Sequence, residues 1–187
     1  MKGIVFNMLN DMVEEQFGMD VWDDLIDATA PDSEGIYTSV EIYPDGELLA
    51  YVNEISQRTG AEVPDVVRLF GKYMLGRFAE VHPDFFAGHS IKSFLKSVDE
   101  VIHVEVRKLH PDVVLPEFTY EDHSDDSLVM HYHSPRSLCY LAEGLIEGAS
   151  VHFDQAVTIE HPVCMHEGAD HCELSLTFGS GPRHAVA

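Results

Sequence analysis

An α+β fold is predicted, with a helical N-terminal part followed by a four-stranded antiparallel sheet into which one helix is inserted. Three observations predict it. Apolar residues recur at helical spacing almost without pause from residue 4 to residue 109. Beyond Pro116 the pattern changes to strand-like alternation in four short stretches. Between the second and third of these lies one apolar-faced helical stretch. Helices first and strands afterwards is the order of an α+β chain, not of repeated βαβ units.

The elements follow in order. Ile4, Val5, Met8, Leu9, Met12 and Val13 have three-four spacing, with Gly18 as the stop. Asp20 opens a shorter run through Val21, Leu25 and Ile26, ended by Pro31. Residues 32–44 are turn-rich and predict no regular element. Asp45 then opens Leu48, Leu49, Val52 and Ile55, closed by Gly60. Pro64 suits a first helical turn, and Val66, Val67, Phe70, Met74 and Phe78 form the next stripe before His82 and Pro83 break it. Ser90 can cap a long helix carrying Ile91, Phe94, Leu95, Val98, Val101, Ile102, Val106 and Leu109, which Pro111 stops. Residues 118–120 and 128–132 read as strands around a polar turn, residues 137–153 as the inserted helix, and residues 156–164 and 172–178 as a closing hairpin. Residues 1–178 are expected to form a single domain, and residues 179–187 a loose tail.

Composition narrows the function. Eleven Lys+Arg against 33 Asp+Glu give a formal charge of −22, which disfavours phosphate backbones and anionic lipid surfaces as partners. Ten Phe and seven Tyr set the chain apart from a disordered acidic tail. No apolar run approaches the roughly 18 residues of a spanning helix, and the N-terminus lacks the character of a signal peptide. Three cysteines do not build a disulfide framework. A reduced, cytoplasmic setting is expected.

Three groups of residues can carry chemistry. His103 sits among Val101, Ile102 and Val104 in the most apolar helix; it is either a satisfied core histidine or a ligand to a metal or haem iron. Tyr132, Ser134 and Arg136 share one side of an extended segment, because side chains alternate with a period of two. Two hydroxyls and a guanidinium there make a carboxylate receptor; the plainer alternative is a strand end with a solvent-reaching arginine. Cys139, His161, Cys164 and Cys172 come together if the closing hairpin forms and the helix starts beside it. Three thiolates and an imidazole suit a closed Zn²⁺ site, the alternative being three reduced, partly buried thiols. His166 can substitute for His161, whereas His171, next to Cys172 on a strand, should face the other way.

The helical His103 followed by the pattern of Tyr132, Ser134 and Arg136 resembles the haem nitric oxide/oxygen binding (H-NOX) family. Met1-Lys2-Gly3, Phe85-Phe86-Ala87-Gly88, Phe94-Leu95, Asp99-Glu100-Val101 and the segment from Gly144 to Gly148 also resemble family sequence, so the likeness covers about residues 1–178. It implies haem b between the helical and sheet parts, His103 as proximal iron ligand, Tyr132, Ser134 and Arg136 on the propionates, and Pro116 pressing on the porphyrin. The distal side would be formed by Leu9, Met74 and Leu141. Oxygen-binding members carry a tyrosine where this chain has Leu141, and Tyr140 is about 100° away around a helix. The resemblance therefore implies binding of NO, and also CO, over O₂. It implies a sensor, not an enzyme, in which weakening of the iron–His103 bond frees a helix to signal to a separate protein. That partner would be a two-component histidine kinase or a cyclic-di-GMP enzyme. Some members also carry a zinc site of the Cys139, His161, Cys164 and Cys172 kind, which favours Zn²⁺ there and a thiol redox role. Two other functions stand beside the gas sensor. A peroxidase-like haem enzyme would need a distal acid or base that Leu9, Met74 and Leu141 do not supply. A zinc-stabilised thiol sensor or scaffold would make little use of haem.

Overall fold

The computed structural model describes residues 1–180; most of the expected C-terminal tail, residues 181–187, lies outside the described residues. The chain divides into two compact units, Met1–Phe70 and Gly71 onward. No helix among the described residues is long and apolar enough to cross a membrane.

The first unit contains α1 (Gly3–Phe17), α2 (Asp20–Thr29), α3 (Asp45–Thr59) and the start of α4 (Val63–Val81). Gly18, Ala30 and Gly60 terminate the first three helices where their stop signals are expected. Phe6, Leu9, Met12, Val13, Leu25 and Tyr51 have no solvent exposure. The segment expected to be irregular is made of turns with one isolated bridge, Lys2 to Ile42, and it delivers Tyr37 into the core. The Tyr37 ring stacks on Phe6 at 4.2 Å, and its hydroxyl donates to Glu47 at 2.7 Å, so the buried phenol is satisfied.

The second unit carries the rest of α4, α5 (Ile91–Ser97), a π-helical turn (Val98–Ile102), α6 (His103–Leu109), β1 (Glu117–Ser124), β2 (Ser127–His133), α7 (Cys139–His152), β3 (Val157–Val163) and β4 (Cys172–Phe178). The four strands form one antiparallel sheet in the order β1-β2-β4-β3. Alternation places Leu128, Met130, Tyr132, Cys172, Leu174, Leu176 and Phe178 in one buried cluster with Ala142, Ile146 and Ala149 of α7. The α+β prediction is correct in class and in element order.

Two helices of this unit approach at backbone distance. A Cβ added to Gly148 of α7 would lie 2.7 Å from the Leu75 Cβ and 3.0 Å from the Lys72 carbonyl oxygen of α4. Neither atom is the far end of a flexible side chain, so a larger residue must push the helices apart. Gly148→Val is expected to cost about 1–3 kcal/mol by overpacking, lowering the thermal midpoint by roughly 2–4 °C for each kcal/mol in a chain of this size. A midpoint equal to that of the wild type would show that the crossing has slack.

One predicted element is corrected. The long helix from Ser90 begins as expected, with a reciprocal capping box between Ser90 and Ser93, but it does not run through to Leu109 as one α-helix. The His103 N–H donates to the Val98 carbonyl, five residues back, and inserts one extra residue into the turn.

Candidate functional site

That insertion decides where His103 points. In an uninterrupted α-helix His103 would lie about 180° around the axis from the buried Phe94. One inserted residue rotates everything after it by about 100°, bringing His103 into line with buried Leu95. Val101 and Val104 are left outward, at 48% and 38% exposure. The His103 side chain is 12% exposed, with Nδ1 3.2 Å from the Asp99 carboxylate and its ring 5.9 Å from that of Phe118. Burial holds its pKa below the ordinary histidine value, against the opposing influence of Asp99, so the imidazole is neutral at neutral pH. A neutral imidazole anchored by a carboxylate is the state in which histidine ligates iron. The anchoring Asp99 escaped the sequence reading as a hydrogen-bond partner, although its spacing of four from His103 was the available cue.

Phe118 also meets Tyr132, edge to face at 5.5 Å. Tyr132 and Ser134 are buried. The Leu138 N–H donates to the Tyr132 phenol oxygen at 3.0 Å, and the Arg136 N–H donates to the Ser134 hydroxyl at 3.2 Å. Burial raises the Tyr132 pKa, so its proton stays in place as a donor. The Arg136 guanidinium donates to the Val114 carbonyl, two residues before Pro116. Only Tyr132 of the three lies in a strand. Ser134 follows the end of β2, and Arg136 stands in a turn closed by the Ser137 N–H on the Ser134 carbonyl at 3.2 Å. The chain therefore turns after β2, and Arg136 does not continue the strand alternation that the spacing suggested. As a donor set, a guanidinium and two hydroxyls fit carboxylates, as haem propionates require.

The residues expected on the distal side offer no side-chain donor. Leu9 lies fully buried in α1 of the first unit, and Met74 is buried in α4. Leu141 is half-buried on α7, close to the point where its backbone faces Gly71 of α4. The neighbouring Tyr140 is occupied elsewhere: its ring stacks on His166 at 5.3 Å and meets His161 at 6.0 Å.

Cys139, His161, Cys164 and Cys172 form one cluster, with their ligand atoms all within 4.8 Å of one another. Two strand irregularities and a helix start bring them there. Glu160 pairs with Ser175 but Val163 pairs with Glu173, so β3 carries one extra residue around His161 and Pro162. This bulge turns His161 and Cys164, three residues apart, to the same side; Pro162 is tolerated because a bulge frees its nitrogen from the ladder. Cys172 opens β4 and Cys139 opens α7. The Cys139 and Cys164 sulfurs are 4.0 Å apart. Tetrahedral zinc with Zn–S bonds near 2.3 Å sets its sulfurs about 3.8 Å apart. The Met165 N–H donates to the Cys172 sulfur at 3.2 Å. Burial, and then the neighbouring thiols, push Cys139 upward; burial does the same to Cys172, so both stay neutral thiols until a cation replaces their protons.

His161 gives the clearest sign of fit. Its Nδ1 is 2.5 Å from the buried Glu143 carboxylate, while its Nε2 is buried with no hydrogen-bond partner. An orphaned buried acceptor costs about 1–3 kcal/mol, and a cation among the three sulfurs would satisfy it. His166 is not part of the cluster; it bonds the Ser137 carbonyl at 2.8 Å. His171 faces the outer side of the sheet, its ring 5.4 Å from that of His131.

Helices followed by a four-stranded antiparallel sheet, with the buried, Asp99-bonded His103 and the Tyr132, Ser134 and Arg136 donors in the same unit, fit a haem-binding sensor domain. Comparison with known proteins agrees. The haem-NO-binding family model matches residues 2–161. An H-NOX protein from S. oneidensis, solved in the Fe(II)NO ligation state, is 39% identical and has a TM-score of 0.90, over 96% of this chain and 100% of that one. An Fe(II) unliganded H-NOX protein from K. algicida is 29% identical with a TM-score of 0.88, over 97% and 98% of the two chains. Soluble guanylate cyclase 89Da of Drosophila melanogaster is 24% identical over 143 residues, which span 73% of this chain and 21% of the cyclase. The chain belongs to the haem-NO-binding, or H-NOX, family, whose domains bind haem and act as gas sensors, not as catalysts.

Proposed function

We propose that residues 1–178 act as one domain that senses NO at ferrous haem b, with His103 as the axial ligand and Tyr132, Ser134 and Arg136 holding the propionates. The observation that carries this is the π-helical turn, which aims a neutral, Asp99-anchored His103 inward from a helix that would otherwise turn it away. When bound, ferrous haem supplies the iron at which NO or CO is taken up, as in the S. oneidensis protein solved in both ligation states. Asp99 keeps the His103 imidazole oriented, and the Tyr132 and Ser134 hydroxyls with the Arg136 guanidinium neutralise and fix carboxylates. Pro116, just before β1, would lie against the macrocycle and supply an apolar contact to it. The positions that the family resemblance assigns to the distal side, Leu9, Met74 and Leu141, carry no side-chain hydrogen-bond donor, which supports a preference for NO over O₂.

The output runs through α6, which packs chiefly on the π-helical turn before it and so responds to any change at His103. A separate histidine kinase or cyclic-di-GMP enzyme reads that response. The Cys139, His161, Cys164 and Cys172 cluster holds one Zn²⁺ and adds thiol redox sensitivity; the unpartnered His161 Nε2 supports this.

Absorption spectra of the reduced protein, taken without ligand, after NO and then in air, test the haem function. A Soret band that shifts with NO, with no lasting oxy spectrum in air, is expected. Failure to take up haem on reconstitution refutes haem binding, and a persistent oxy spectrum refutes the preference for NO.

A further inference from the structure

Glu143 has no part in the haem chemistry, yet it is a carboxylate only 5% exposed, one helical turn after Cys139 on α7. Residues four apart share a helix face, so the helix that supplies one sulfur of the cluster also supplies this carboxylate. An ionised carboxylate can only accept hydrogen bonds. The 2.5 Å contact therefore has the His161 Nδ1–H donating to Glu143 Oε1, which leaves the lone pair on Nε2. That Nε2 is the buried atom without a partner, on the residue that completes the group of three thiols.

We infer that Glu143 is the positioning residue of the metal cluster: it fixes the His161 tautomer and holds Nε2 toward the ion, while the sulfurs and Nε2 make the bonds. This inference rests on the proposal that the cluster binds Zn²⁺. A carboxylate behind a ligating imidazole both orients the ring and strengthens it as a ligand, and losing such a partner typically weakens metal binding 10–100-fold. The cluster is thus a five-residue device in which α7 sets the direction of a ligand that β3 carries.

The test uses reduced, zinc-loaded protein titrated with a chromophoric chelator, with metal analysis of the wild type done first. Glu143→Gln keeps the size of the side chain and removes its charge, so the fold is retained. It is expected to lower zinc affinity by about tenfold or more and to shift the visible bands of the Co²⁺-substituted protein. In a His161→Ala background the same change is expected to do nothing further, because the ligand it acts through is gone. Unchanged affinity in Glu143→Gln overturns the role, as does an equal loss with and without His161, which would mark a purely structural effect. A wild type that holds no zinc overturns the metal reading itself, and the initial metal analysis separates that failure from failure of Glu143 alone.

Discussion

His103→Gly is expected to retain haem poorly and to regain much of it when imidazole is supplied. The substitution removes the imidazole that the π-helical turn aims inward, along with its 3.2 Å contact to Asp99 and its packing on Phe118. The proposed propionate-binding residues Tyr132, Ser134 and Arg136 are untouched, so haem should still be oriented while lacking the proposed bond to His103. The fold should survive, since glycine in a helix costs about 1 kcal/mol and the affected turn already departs from α geometry. Free imidazole can enter the space left by the ring, with Asp99 still present to accept from it. The check is the reduced-state spectrum of the variant, purified with and without imidazole. A spectrum identical to wild type without added imidazole would rule His103 out as the iron ligand.

Much of this architecture is legible in the sequence. Stop signals at Gly18 and Gly60, the Ser90 cap and the alternation within the four strands act locally, through φ angles, capping hydrogen bonds and side-chain period, so they can be read from sequence. The π-helical turn could not be. Both Val101 and Ile102 are apolar, and a one-residue insertion between apolar neighbours leaves the stripe looking continuous while rotating His103 by about 100°. The turn at Arg136 was hidden for a related reason: spacing alone does not distinguish the Ser134–Ser137 turn from extended chain. At the metal cluster the cue was present and unread. A proline inside a strand pattern marks a bulge, and that bulge is what puts His161 and Cys164 on one side. Glu143 needed two steps, its spacing from Cys139 and the tertiary placement of His161, and only the first is written in the chain.

On the proposal that the cluster holds zinc, removing the ion is expected to cost the protein more stability than any single surface change. A ligand bound to the folded state alone at about 1,000 times its dissociation constant adds roughly 4 kcal/mol, equivalent to about 8–16 °C in thermal midpoint at 2–4 °C per kcal/mol. Mild oxidation of the thiols should release the ion, because an oxidised sulfur no longer donates as a thiolate and His161 alone is too few ligands to hold it. The effect should also reach the haem-binding residues by a short route. Cys172 is the cross-strand partner of Tyr132, and the Leu138 N–H that bonds the Tyr132 phenol belongs to the residue just before Cys139. Slackening Cys139 and Cys172 together should loosen Tyr132 from both sides, so zinc-free protein should lose haem faster to a competing acceptor such as apomyoglobin, while the His103–Asp99 pair is unaffected. Zinc content, thermal midpoint and haem-transfer rate, measured on one preparation before and after oxidation and again after reduction with zinc, decide the matter. If the midpoint falls and recovers while the haem-transfer rate stays constant, the cluster stabilises the fold without bracing the propionate-binding residues.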